Sequence, residues 1–215
     1  MKKTIAIVAL VVLVAVASVL GTLAYLTDTK KVENTFTMGD VKIKLDETNV
    51  KDPEGKRVTE NEYAVYPGAI VTKDPIVHNV GANGAYIRAT VNVSNWMNLV
   101  GAYYPEFKET FPNEGYRAAL NLLVGELGEG WSVVDVEAGN VFTIGQFDAK
   151  FILKYDGVLA SGEDTTAMFK TVTIPAGIDN ANAASFNSVK VEAQAIQANG
   201  FDDWEAAFAA FDANK

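Results

Sequence analysis

The stretch Tyr86-Ile87-Arg88-Ala89-Thr90-Val91-Asn92-Val93 decides the fold class. Ile87, Ala89, Val91 and Val93 share one parity, and Tyr86, Arg88, Thr90 and Asn92 the other. A period of two sends successive side chains to opposite faces, the pattern of a β-strand with one face in the core. The turn Gly81-Ala82-Asn83-Gly84 precedes it. Further upstream, Ile70 to Val80 reads as strand interrupted at Pro75 and entered from the turn Tyr66-Pro67-Gly68. Val41, Ile43 and Leu45 alternate with Lys42 and Lys44. Asp52-Pro53-Glu54-Gly55 then breaks the chain, and the polar stretch to Glu62 is expected to be an exposed loop.

The pattern repeats downstream. Ala149, Phe151, Leu153 and Tyr155 share one face before Asp156-Gly157, and Val172 and Ile174 run into Pro175. Val189, Val191, Ala193 and Ala195 mark the last strand. Short strands between Gly, Pro and Asn turns, with no βαβ rhythm, predict a mainly β protein, an antiparallel jelly-roll-like β-sandwich. Two helices interrupt it. Asn113 can cap one whose apolar face is Tyr116, Leu120, Leu123 and Leu127, ending at Gly128. A C-terminal amphipathic helix starts near Asp202 or Asp203 and stripes Trp204, Ala207, Phe208 and Phe211 along one side. That stripe is expected to dock on the protein's own sheet, with partner binding as the alternative.

Composition limits the chemistry. Of 215 residues, 18 are Lys or Arg, 27 Asp or Glu, one His and none Cys, for a formal charge of −9. The acidic balance, without a basic cluster, argues against nucleic acid, whose phosphates require neutralising cations. Without Cys there are no disulfides, thiol nucleophiles or thiolate zinc sites. One His cannot build a multi-histidine metal site within one chain, and His78 is expected to be a satisfied structural or surface residue. HExxH, P-loop, GxGxxG, GxSxG and EF-hand patterns are all missing. Glu60 with Glu62 and Glu163 with Asp164 read as solvated loops. Loop calcium, which needs no fixed motif, stays open. The expected inventory is thus no catalytic residue, no resident metal and no cofactor.

The beginning of the chain is an address. Lys2 and Lys3 precede an uncharged apolar run from Thr4 to Leu20, followed by Gly21-Thr22-Leu23-Ala24. A basic start, an apolar stretch and small residues at −3 and −1 predict a signal peptide, residues 1–24, cut between Ala24 and Tyr25. The apolar run also approaches the ~20 residues that span a bilayer, so a membrane-tethered adhesive module is the competing expectation. After cleavage, residues 25–39 form an extended segment ahead of a β-sandwich domain, residues 40–215. The segment mixes Tyr25, Val32, Thr35 and Phe36 with spaced charges and has no Pro or Gly before Gly39. An ordinary edge strand or frayed tail and a strand offered to a neighbour's sheet are both compatible with that composition.

Tyr25-Leu26-Thr27-Asp28 after the leader, then Asn34-Thr35-Phe36-Thr37-Met38-Gly39-Asp40-Val41, resembles the TasA/camelysin family of Gram-positive bacteria. Further matching blocks are Tyr66-Pro67-Gly68, Asn79-Val80-Gly81, Ala85-Tyr86-Ile87-Arg88, Gly162-Glu163 and Ala193-Gln194-Ala195-Ile196-Gln197; residues 94–148 add none. The resemblance implies a jelly-roll-like sandwich, a leader removed by a SipW-type signal peptidase, and secretion to the extracellular matrix or cell surface. It also implies assembly into biofilm matrix fibres by donor-strand exchange. On this sequence the donor residues would be Leu26, Val32 and Phe36, the partner another copy in a head-to-tail homo-oligomeric filament, with no membrane contact after processing. The family's other label denotes a cell-surface metalloendopeptidase, and that activity is the alternative.

Overall fold

The alternation at the centre of the chain becomes the centre of a sheet. In the computed structural model, which describes residues 40–63, 66–96, 99–100, 113–138, 148–178 and 188–213, the long strand is β4 (Ala85–Val93). Before it come β1 (Ile43–Asp46), β2 (Ile70–Thr72) and β3 (Ile76–Asn79). After it come helix α1 (Asn113–Val124), β5 (Trp131–Ala138), β6 (Ala149–Tyr155), β7 (Thr171–Thr173), β8 (Val189–Gln197) and helix α2 (Trp204–Ala213). One sheet runs β5-β6-β4-β8, and two ribbons, β1-β3 and β2-β7, stand apart from it. Every pairing among these strands is antiparallel.

The sheets enclose one main core. Ile87, Ala89, Val91 and Val93 from β4 meet Phe151 and Leu153 from β6, Val77 from β3, and Val172 and Ile174 in and beyond β7. Trp96 closes one end, its ring edge-on to Phe151 at 4.9 Å between centroids. Helices and antiparallel sheets thus combine in a sandwich-like arrangement. The strands fall into three separate hydrogen-bonded sets, so the finer jelly-roll expectation is not carried by these pairings.

Several sequence expectations change in detail. The stretch from Ile70 to Val80 splits at Pro75 into strands of different ribbons, β2 with β7 and β3 with β1. Proline removes a ladder donor and fits such a break. Helix α1 buries Tyr116, Ala119, Leu120 and Leu123 but stops earlier than expected, at Gly125. Gly125 has φ +73° and donates its N–H to the Asn121 carbonyl, the left-handed C-terminal stop that glycine reaches without a Cβ penalty. Gly128 serves a different purpose: a Cβ there would overlap the carbonyl of Ala167.

Helix α2 docks on its own sheet, as expected. The Asp203 carboxylate caps it, accepting from the Ala206 N–H at 2.8 Å. Trp204, Ala207 and Phe208 pack on Tyr86 and Ile196, on the face of the sheet away from the main core. Trp204 Nε1 donates to the Ile87 carbonyl at 2.8 Å. Arg88 lies 4.4 Å over the Phe208 ring and grips Asp212 through both terminal nitrogens at 2.6 and 2.8 Å.

Candidate functional site

Val91 of β4 and Val191 of β8 are direct cross-strand partners with side chains on the same face, yet Val91 is 1% exposed and Val191 is only half-buried. The same holds along the strand. Val189, Ala193 and Ala195 are half-buried, while their partners Val93, Ala89 and Ile87 are sealed. β8 is the last strand of its sheet, and among the described residues its second edge has no strand partner.

That edge opens on a groove of about 730 Å³. Five consecutive residues, from Ser188 to Glu192, line it. Because neighbouring side chains in a strand point to opposite faces, a run of both parities lines a cavity only by presenting the strand's edge, with its backbone groups. The opposite walls are Leu45 from β1, Val71 from β2, and Val172 and Ile174 from β7 and its exit. Residues 59–63 form a lip over it. A smaller cavity of about 320 Å³ continues past Tyr63 and Val71 toward Val50 and Pro53.

The groove has a polar floor. Glu47, 5% exposed, accepts from Lys73 Nζ at 2.7 Å, Asn61 Nδ2 at 3.0 Å and the Tyr63 hydroxyl at 3.3 Å. Burial, and then the Glu47 charge, push the Tyr63 phenol well above its ordinary value. Backbone hydrogen bonds in both directions between Glu47 and Val58, each 2.8 Å, draw the lip down. Asn61 adds a bond to the Thr48 carbonyl at 2.8 Å.

Behind the floor, Asp46 is 3% exposed and holds two cations, Lys44 and Arg57, each at 2.6 Å, together with His78 Nε2 at 2.9 Å. Burial opposes its charge, but hydrogen bonds from Lys44, His78 and Arg57 prevail and hold the carboxyl down at about 2. Arg57 spends its remaining N–H groups on Thr48 Oγ1, the Asp74 carboxylate and the carbonyls of Asp46 and Asp74. His78 Nδ1 meets Asp164 at 2.6 Å. Burial works against the imidazolium, and bonding to Asp46 and Asp164 outweighs it and raises the His78 pKa. The lone His is therefore a satisfied structural residue, and Asp164 is its partner rather than a free loop carboxylate.

Sequence reasoning missed this site. The stretch expected to be an exposed loop is a loop, exposed along most of its length, but it is tied down by Arg57, Val58, Asn61 and Tyr63, whose partners sit between 9 and 17 positions away. No short motif could announce it. The expected cleavage pair, Ala24 and Tyr25, and the donor residues Leu26, Val32 and Phe36 lie outside the described residues. Among the described residues, no three His, Asp or Glu side chains gather as a metal site, and no helix is long and apolar enough to cross a membrane.

No family model, curated protein or solved structure matches the chain. Function therefore rests on what the groove can bind. A strand edge without a strand partner among the described residues, beside apolar walls, offers main-chain hydrogen bonds for affinity and side-chain pockets for specificity, which suits an extended peptide segment.

Proposed function

We propose that this protein is a secreted structural subunit that polymerises head to tail into extracellular matrix fibres. Cleavage between Ala24 and Tyr25 by a SipW-type peptidase frees residues 25–38. Each copy then lays this segment beside β8 of the next, completing a jelly-roll-like sandwich with Leu26, Val32 and Phe36 turned inward. The observation that carries the reading is the β8 edge, which has no strand partner among the described residues, with its half-buried apolar face. The segment is long enough: 14 residues extend over about 46 Å, against about 30 Å for the nine residues of β8. Its Val, Tyr, Thr and Phe content suits a pleated surface, and the resemblance to the TasA/camelysin family points the same way.

A donor and an acceptor at different places on the molecule make a heterologous contact, which propagates rather than closes. Open filaments follow. Removing residues 25–38 from the mature form is expected to leave folded monomers, with unchanged circular dichroism and no filaments by electron microscopy. Filaments formed as before, or a wild-type protein that keeps the segment in its own groove and stays monomeric, would defeat the proposal.

A further inference from the structure

The groove is not uniformly apolar, and neither is the segment proposed to fill it. This inference rests on the strand-exchange reading and deepens it. In an extended chain the even-numbered residues Leu26, Asp28, Lys30, Val32, Asn34 and Phe36 share one face. Within that face one acid and one base, two positions apart, interrupt the apolar series. Of the charged residues that line the groove, Glu60, Glu62, Lys190 and Glu192 are exposed, and Asp46 is held by Lys44 and Arg57. Lys73 and Glu47, paired at 2.7 Å and only 12% and 6% exposed at their side chains, are the base and acid buried together among its apolar walls.

Covering a buried ion pair with an apolar side chain removes its remaining water without replacing it. An incoming strand therefore has reason to present charge at that point. We infer that the Glu47–Lys73 pair is the register pin of the groove: it receives Lys30 and Asp28 from a second copy, Lys30 toward Glu47 and Asp28 toward Lys73.

Two kinds of slip must be rejected for a fibre to grow in one register. A slip of one residue turns the other parity inward, here Thr27, Thr29, Lys31, Glu33 and Thr35, and apolar contact alone rejects it. A slip of two residues keeps the parity and much of the apolar contact. Only charge placement rejects it, by putting Val32 or Leu26 over the ion pair and a charge over the apolar wall. Single buried polar positions fix register in the same way in helical assemblies.

The test uses protein expressed with its leader, processed and recovered from the medium, with the critical concentration for filament growth as readout. Exchanging the segment's charges, Asp28→Lys with Lys30→Asp, conserves net charge and leaves the groove untouched. It is expected to raise the critical concentration at least about tenfold, as loss of a buried charge pair does. Exchanging the groove's charges, Glu47→Lys with Lys73→Glu, is expected to do the same, and combining both exchanges to restore growth.

Should the groove variant fail to fold, zero-length carbodiimide coupling of wild-type filaments decides: an intermolecular Lys30–Glu47 link is expected. Full growth of the Asp28/Lys30 exchange variant, or Lys30 links only to other carboxylates, overturns the pin while leaving strand exchange intact. Filaments that survive deletion of residues 25–38 overturn both.

Discussion

The sheet β5-β6-β4-β8 has two edges, and they are built differently. β5 shifts register between Val133 and Asp135, a bulge that kinks and twists an edge away from further pairing. Helix α1 stands beside it, with Arg117 reaching the Val134 carbonyl at 3.5 Å. β8 pairs with β4 without interruption, from Ala85↔Gln197 to Val93↔Val189. It presents a straight edge to a groove, with Val189 and Val191 half-buried above it. An unblunted edge is a hazard unless something is meant to occupy it. Among the described residues, the sheet thus has one bulged edge beside a helix and one straight edge without a strand partner, the asymmetry that the proposed directional assembly would use.

The largest expected effect anchors that comparison in the interior both edges share. Phe151→Ala on β6, at 0% exposure, should lower unfolding stability by about 4 kcal/mol in urea titration. The cross-strand pair Val91 and Val191 sharpens it. Val91→Ala should destabilise the monomer by about 2 kcal/mol, and Val191→Ala by clearly less, yet only Val191→Ala should weaken filament growth. Equal losses at the two sites would show that β8 is as sealed as β4.

Asp46 tests the wall behind the groove. Its pKa falls from 3.8 to about 2 on folding, so its contribution is full above 3.8 and disappears as pH drops through about 2. The depression corresponds to about 2 kcal/mol. Asp46→Asn should lose that much at neutral pH and flatten the acid limb of the stability curve. Deleting Val134 addresses the other edge: straightening β5 should produce a second sticky edge, seen as lateral aggregation by light scattering. A monodisperse deletion variant would deny the bulge its protective part.

The smallest effect belongs to His78. Its folded pKa is raised above 6.5, so its stabilisation is complete below 6.5 and is lost as pH climbs through the raised value. The urea midpoint should fall across that interval, and His78→Asn should remove the slope.

Much of the sandwich was legible because its signals are local. β4, β6 and β8 show clean alternation, and Asp203 caps α2 where expected. β5 escaped notice because its bulge moves Trp131 and Val133 out of parity with Val136, which erases the period of two. Gly128 resembled a helix stop but is required by the close approach of Ala167. The groove could not be read at all. Its walls come from residues 45–75 and 172–192, and Glu47 finds Lys73 across 26 positions.

The amino-acid order alone determined the faces of the strands and the helix stripes, since each depends on neighbours within a few residues. Only the tertiary structure decided which edge lacks a strand partner among the described residues, which acid meets which base, and that a polar loop becomes the lip of a groove. Those outcomes depend on which distant segments pack together, and backbone pairing across long separations leaves no trace in local spacing.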